Sequence, residues 1–414
     1  MSPVGKVLYV VSRFPQISAT FTAHEMAALT EAGVQVAVAS VWRPAQGTIP
    51  HPVEQSFLPG LIHLRLSDPG LWFRVGRAIL RRPLVLWLCL RLFVAHLNSI
   101  YAVAKALTTI PKGLALGEIA HQQRFDQIHA HFLTAPAAAA MLASAVSGIP
   151  YSVTIHAFDI FATEPRLRNS AVRLKCERAT LNVVISDFNR RFMQERWKGI
   201  RGRFEVLYNG IDLNLFRNPT PARYSPGMPL RILSNGRLVF KKGFEYLIRA
   251  VAQLIAEGAS VELRIIGEGP LMEPLRGLCA ELGITQHVHL LGKLSQTQVV
   301  AEYQQTHLFV LACAVAPDGD MDGMPTVLLE SLAMCIPSIS TKVSGVPEII
   351  RDGETGLCIP PHDVEALVRA IQNLRDEPEK AHRMAQAGRA LIEQSFDRTR
   401  SAQRLLNLWQ EMHP

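Results

Sequence analysis

Two carboxylates, Asp322 and Glu330, bracket the junction of a polar loop and a short apolar helix in the stretch DGDMDGMPTVLLESLAMCIPSISTKVSGVPE, Asp318 to Glu348. Asp318, Gly319, Asp320, Asp322 and Gly323 form a flexible entry. Pro325 suits a first helical turn because its φ is preset and it has no N–H to leave unpaired, so a helix is expected from Thr326 to Cys335. The amides and dipole at that helix start, around Gly323, Met324, Pro325 and Thr326, would attract an anion. The two carboxylates could then accept hydrogen bonds from different hydroxyls of one polyhydroxylated ligand.

A second constellation lies upstream in GRLVFKKG, where an apolar strand over Leu230–Asn235 runs into a helix expected from Phe244 to Glu257. Gly236 allows close backbone approach. Arg237 can grip two phosphate oxygens at once, and Lys242 adds a point charge. The GEGP turn after the strand Val261–Ile266 carries Gly267 and Gly269, but Pro270 breaks any G-x-G-x-x-G fingerprint. In the first half, Gln16, Ser18, Thr20, His24 and Glu25 follow the first strand, and Ser18 or Thr20 can cap the helix after it. His129 and His131 alternate on one strand and share a face, with no third metal ligand evident, so structural hydrogen bonding is the expectation for them. His156 ends the next strand, with Asp159 three residues on.

These groups need a scaffold that puts strand ends together, and the pattern supplies one. Buried-looking strands at Lys6–Ser12, Val34–Val41, Gln127–His131, Tyr151–Ile155 and Asn182–Ser186 alternate with helices at Thr20–Ala32, Ala135–Ser147, residues 168–179 and Asp187–Trp197. Strands at His287–Leu291, Leu308–Ala312 and Pro337–Thr341 follow. The alternation predicts doubly wound α/β domains, in which ligands gather at the carboxyl ends of the strands. At 414 residues the chain has room for two such domains. A segment rich in proline, residues 218–229, reads as the linker. Helical segments at Ala366–Leu374 and Ser401–Met412 end the chain.

Between residues 69 and 120 the alternation gives way to a helical insertion. It combines Arg74, Arg77, Arg81, Arg82 and Arg91 with Trp72, Phe73, Trp87 and Phe93, which suits either a membrane interface or core helices with a basic outer face. The net charge of +8 points to an acidic partner surface. Basic clusters are not interleaved with aromatic residues in a nucleic-acid motif, so anionic lipid or phosphate is expected rather than nucleic acid. The six scattered cysteines read as free thiols. The amino terminus makes a poor signal peptide, and no run is long enough to span a bilayer, so a cytoplasmic protein is expected, peripheral on the inner face of the membrane.

The acid–Gly-x-Pro–acid spacing from Asp322 to Glu330 resembles the E-x7-E signature of retaining glycosyltransferases of family 4, with Asp322 in place of the usual Glu. Other segments resemble the same family, in family order: the P-x-x-S-x-T-F loop at Pro15–Phe21, T-x-H-x-x-D at Thr154–Asp159, VLYNGIDLNLF at Val206–Phe216, G-R-x5-K-G at Gly236–Gly243, and G-x-G-P reaching Leu275. The resemblance is to the exopolysaccharide and colanic acid type. It implies a GT-B fold, two Rossmann-like domains facing across a cleft: an acceptor domain over residues 1–217, a nucleotide-sugar domain over 230–395, and a terminal helix, 396–414, crossing back to the first. It implies transfer from a UDP- or GDP-sugar to a glycan, in this type often lipid-linked, with retention and no metal. Arg237 and Lys242 would bind the diphosphate, His156 and Asp322 would lie by the sugar, and Glu330 would hold the ribose. The loop from Gln16 to Glu25 would face acceptor and pyrophosphate. Rival readings are an epimerase or phosphorylase on the same fold, and a non-catalytic membrane scaffold. The sugar, the base, the acceptor and the oligomeric state stay open.

Overall fold

The run KVLYVVSR is apolar on both faces, and such runs are stable only as strands covered on both sides. In the computed structural model, which describes residues 4–16, 20–44, 50–97, 99–161 and 171–412, it forms β1, Lys6–Arg13. The first sheet continues with β2 (Gln35–Trp42), β3 (Ile62–His63), β4 (Gln127–His131), β5 (Tyr151–Ile155), β6 (Leu181–Val184) and β7 (Phe204–Val206). Its spatial order is β3-β2-β1-β4-β5-β6-β7, with every pair parallel. The second sheet holds β8 (Leu230–Asn235), β9 (Val261–Ile266), β10 (Val288–Gly292), β11 (Leu308–Leu311), β12 (Ser338–Thr341) and β13 (Leu357–Ile359), in the order β10-β9-β8-β11-β12-β13, again all parallel. Each order reverses beside its first strand, and that reversal opens a crevice at the carboxyl strand ends.

The chain divides into two units, residues 1–210 with 398–414 and residues 211–397. The boundary therefore lies at Gly210 rather than at residue 217, and the proline-rich segment 218–229 belongs to the second unit. The first unit has a core that includes Tyr9, Met26 and Leu29 together with Leu405 and Trp409 of the helix Arg398–Gln410. The core of the second gathers Leu247, Val251, Leu263 and Val310, among others.

The strands missed from sequence, β3, β7 and β13, span only two or three residues, too few for a period to register. Three helices rather than two close the chain: Pro378–Ser395, which buries Ala381, Met384, Ala385, Gly388, Leu391 and Ile392 at helical spacing, lies between the two that the sequence pattern marked. The helix after the acidic loop runs from Thr326 to Ala333 only. Pro325, at φ −66° and ψ 114°, sits just outside it as the cap residue rather than in its first turn.

The insertion consists of helices Pro69–Arg81, Val85–Val94 and Ile100–Gln122. Glu118 on the third is fully buried, accepts from Arg81 at 2.9 Å and forms an ion pair with Arg77 at 3.2 Å. A buried carboxylate needs such partners, so these two arginines are spent on holding the insertion together rather than being free for a surface. Val85–Val94 buries Val85, Leu88 and Leu92 on one face, while its opposite face, which water should make polar, carries exposed Leu86, Trp87, Leu90 and Val94. None of the described helices is long and apolar enough to cross a membrane.

Candidate functional site

In the second unit the site grows from the diverging ends of β8 and β11. Asn235 closes β8, Gly236 turns the chain, and a short 3-10 turn at Phe240–Lys242 leads into the helix Phe244–Ala256. Lys242 folds back so that a Cβ on Gly236 would lie 3.1 Å from its side chain. The GEGP turn buttresses this loop: a Cβ on Gly267, at φ +135°, would stand 2.0 Å from the Gly236 carbonyl, so only glycine fits. Between Gly267 and Gly269, the Glu268 carbonyl accepts from the Leu238 amide at 2.9 Å. The two glycines thus serve the close packing of the loop.

Lys242 Nζ meets Asp322 Oδ2 at 2.6 Å, and Lys241, which the sequence motif passes over, reaches Asp322 Oδ1 at 3.6 Å and Asp320 at 2.9 Å. Burial alone would push Asp322 upward, but Lys242 and Lys241 outweigh it and hold the carboxyl below its ordinary range. Burial likewise disfavours the Lys242 cation, and Asp322 overcomes that, so the lysine stays charged. Asp322 is thus bound to the lysines, and the two cations are oriented before any ligand arrives. Arg237 is exposed and has no ion pair among the described residues.

Glu330, on the second turn of the helix Thr326–Ala333, accepts from Tyr303 Oη at 2.9 Å, and Tyr303 is in turn bonded to Asn235 at the end of β8. Burial raises Glu330 to about 7, against the Tyr303 hydrogen bond and the Lys242 charge. The loop before that helix is pinned where Gly345 N donates to the Gly323 carbonyl at 3.0 Å, and Met324 and Pro325 are buried beneath it. Thr326 is half-buried at the helix start. Paired cations, an acceptor carboxylate and a helix N-terminus on one crevice can bind an anionic, hydroxyl-bearing ligand.

In the first unit the sheet brings together residues that are far apart in sequence. His131 on β4 and His156 after β5 meet at 3.1 Å between Nδ1 and Nε2, and His131 Nε2 lies 2.9 Å from Glu25 Oε1. Tyr9 on β1 donates to the same Glu25 oxygen at 2.6 Å. Glu25, expected to face an acceptor, is instead mostly turned inward onto the histidines, 18 % of its side chain exposed. It provides the third potential metal ligand that spacing did not reveal: donor atoms of Glu25, His129 and His131 lie within 4.8 Å of one another. Both nitrogens of His129 have hydroxyl partners, Ser152 at 2.7 Å and Thr154 at 3.0 Å. Trp409 of the terminal helix donates to the same Ser152 at 2.8 Å. Burial takes His129 down to about 3 and His156 well below the ordinary value, so both rings are neutral near pH 7.

Asp159 holds the turn beneath His156, accepting from the amides of His156 at 3.1 Å and Leu133 at 2.6 Å, and burial raises it to about 7. Of the loop after β1, Gln16 donates its amide to Glu54 at 2.8 Å, Thr20 begins the helix Thr20–Glu31, and the His24 ring packs against His51. Ser18 lies outside the described residues. Glu25 and Tyr303 carried no spacing signal for these partnerships, because their partners lie 16 to 106 residues away, well beyond one helical or strand repeat.

Residues 88–215 match the family described as Glycosyltransferase Family 4, and residues 221–391 match Glycosyl transferases group 1. The protein of Escherichia coli (strain K12) named for colanic acid biosynthesis, the glycosyltransferase WcaL, is 31% identical over 257 residues, 62% of this chain and 63% of that one. A GDP-mannose-dependent monoacylated alpha-(1-6)-phosphatidylinositol monomannoside mannosyltransferase of Corynebacterium glutamicum is 28% identical over 72% of this chain and 79% of its own. The chain spans about half to three fifths, 51%, 63% and 52%, of the first curated relatives it matches. Among solved structures, Anabaena Alr3699/HepE in complex with UDP superposes with a TM-score of 0.71 at 18% identity, covering 98% of this chain and 100% of that one. Two parallel Rossmann-like sheets of the GT-B kind, together with these two matched segments, show that the chain carries a Glycosyltransferase Family 4 segment followed by a Glycosyl transferases group 1 domain.

Proposed function

We propose that the chain moves a sugar, with retention, from a UDP- or GDP-sugar to a glycan acceptor carried on a polyprenyl diphosphate lipid, in exopolysaccharide or cell-surface glycan assembly. The observation that carries this reading is the Lys241–Lys242–Asp322 cluster with Glu330 at the crevice of the second sheet. There the leaving nucleoside diphosphate would meet preoriented cations, which stabilise charge as it develops. Arg237 would close on the diphosphate, Glu330 would accept from the ribose hydroxyls, and Asp322 would orient the sugar. HepE was solved with UDP and the corynebacterial relative is named for GDP-mannose, so both bases belong in the test. A panel of UDP- and GDP-sugars is incubated with lipid-linked oligosaccharide, and released nucleoside diphosphate is measured. Release that depends on acceptor is expected; a donor consumed equally well without acceptor would point to an epimerase or phosphorylase instead.

The lipid acceptor fits the outer face of the insertion. Trp87 is 62 % exposed, Leu84 86 % and Leu80 84 %, too much apolar surface for two successive helices and their link to leave in water without a partner. Arg82 and Arg91 remain exposed beside it and complement anionic headgroups. The occupant we assign is the anionic inner face of a membrane, with the rings entering the acyl boundary. Trp87→Glu combined with Leu90→Glu should abolish co-sedimentation with phosphatidylglycerol vesicles and leave transfer to a soluble acceptor unchanged. Binding that survives the double substitution would reject this face as the contact.

A further inference from the structure

Lys112, on the helix Ile100–Gln122, is only 7 % exposed, and its ammonium donates to the carbonyl of Val41 at the end of β2. It has no ion pair among the described residues. Burial lowers its pKa, and no anion offsets that. A buried ammonium held only by a carbonyl is costly, because its charge has left water without a counter-charge. Between residues 32 and 117 the acids of the sequence are Glu54 and Asp68 alone. Both are engaged elsewhere: Glu54 accepts from the amides of Gln16 and His51, and Asp68 caps the helix Pro69–Arg81 at Gly70.

Other cations gather at the same strand ends. Register sets Ser40 of β2 beside His63 of β3, and the His63 ring is hydrogen-bonded to the Ser40 backbone, one residue before the carbonyl that holds Lys112. Burial first, then Lys112, Arg43 and Arg65, hold His63 below its ordinary range, so these three cations stand near its ring. Arg43 and Arg65 are exposed and have no ion pair among the described residues either. Directly after Arg65 the surface turns apolar. Leu66, Trp72 and Phe73 are exposed, and the Trp72 indole donates to the Leu66 carbonyl at 2.8 Å, which holds that ring beside the loop of Arg65.

We propose that Lys112, Arg43 and Arg65 bind the diphosphate of the lipid-linked acceptor, whose hydrocarbon chain leaves across Leu66, Trp72 and Phe73. The anion supplies the charge that Lys112 lacks, and each arginine can grip two phosphate oxygens. A phosphodiester headgroup would bring one negative charge to three cations, whereas a diphosphate link brings two. The identity of the acceptor rests on the transferase reading; the anion site itself does not.

Farnesyl diphosphate is titrated into the full chain by calorimetry, with Lys242→Ala as the control for diphosphate captured in the second unit. Wild type and Lys242→Ala should bind it alike, and Arg43→Ala/Arg65→Ala about 100-fold more weakly, the loss of two hydrogen bonds between charged groups. Both arginines are exposed, so the double variant should fold. Lys112→Met, which keeps an unbranched apolar stem, should lose the binding and melt no lower than wild type. No binding by wild type, undiminished binding by the double variant, or loss in Lys242→Ala instead would overturn the proposal. So would co-sedimentation with phosphatidylglycerol vesicles that falls in the double variant as far as farnesyl diphosphate binding does, since the cations would then serve any anionic headgroup. In turnover the double variant should raise the KM for a lipid-linked acceptor about 100-fold. An unchanged acceptor KM would defeat the site and leave the transferase reading. Farnesyl diphosphate bound as expected by a chain that turns over no donor would defeat that reading and leave the site.

Discussion

Lys242→Ala should lower kcat on the order of 10²–10³-fold, the usual cost of removing one preoriented charge from a developing anion. The substitution also strands Asp322, whose side chain is only 14 % exposed and would keep only the longer contacts to Lys241 and the Cys313 thiol. Leaving a buried charge uncompensated costs about 3 kcal/mol, so the single variant should also melt earlier. The two effects separate in the double variant Lys242→Ala/Asp322→Asn, which removes the stranded charge. Its melting temperature should recover toward wild type while kcat stays low. If turnover recovers with stability, the lysine is a structural partner of Asp322 and the diphosphate is held elsewhere.

Donor binding should tighten as pH rises through 7. Glu330 is raised from 4.5 to about 7, chiefly by burial. Ribose hydroxyls donate to the ionised carboxyl only, so the donor must displace a proton below pH 7 and none above it. Donor KM should therefore fall about tenfold between pH 6 and pH 8. Glu330→Gln should remove that dependence and weaken donor binding by about 100-fold at pH 8, the loss of two hydrogen bonds to a charged group. Stability carries the opposite sign. Between pH 4.5 and 7 the folded carboxyl keeps a proton that the unfolded one has released, so the wild type loses stability as pH rises across that window and stays lower above it. Glu330→Gln should then melt higher than wild type at pH 8 and no higher at pH 4.5. A donor KM flat from pH 6 to 8 in the wild type would remove Glu330 from the ribose site.

The α/β class, the strands Gln127–His131, Tyr151–Ile155, Leu230–Asn235 and Val261–Ile266, and the helix Ala135–Ser147 were legible residue for residue, because long buried runs bounded by turn residues leave little choice of period. Element ends were less so: Asn182–Ser186 shifted to Leu181–Val184, and the helix from Thr326 stopped at Ala333. Arg77 and Arg81 read as surface charge, since nothing local reveals that Glu118 waits, buried, 37 residues or more downstream.

Residue types and spacing by themselves determined which groups can do chemistry here: the lysine and arginine after β8, the acid pair Asp322 and Glu330, and His156 at a strand end. Each is a local signal, a charge or ring beside a turn into a helix, and local signals survive in a linear string. Only the tertiary structure decided whom those groups face. The parallel order of the first sheet brings β1, β4 and β5 side by side, so Tyr9, His131 and His156 converge on or beside Glu25. The second sheet sets Lys241 and Lys242 against Asp322, and Tyr303 against Glu330. Parallel strands need long crossovers, and partners that meet across them are separated by tens of residues, beyond the reach of any periodicity.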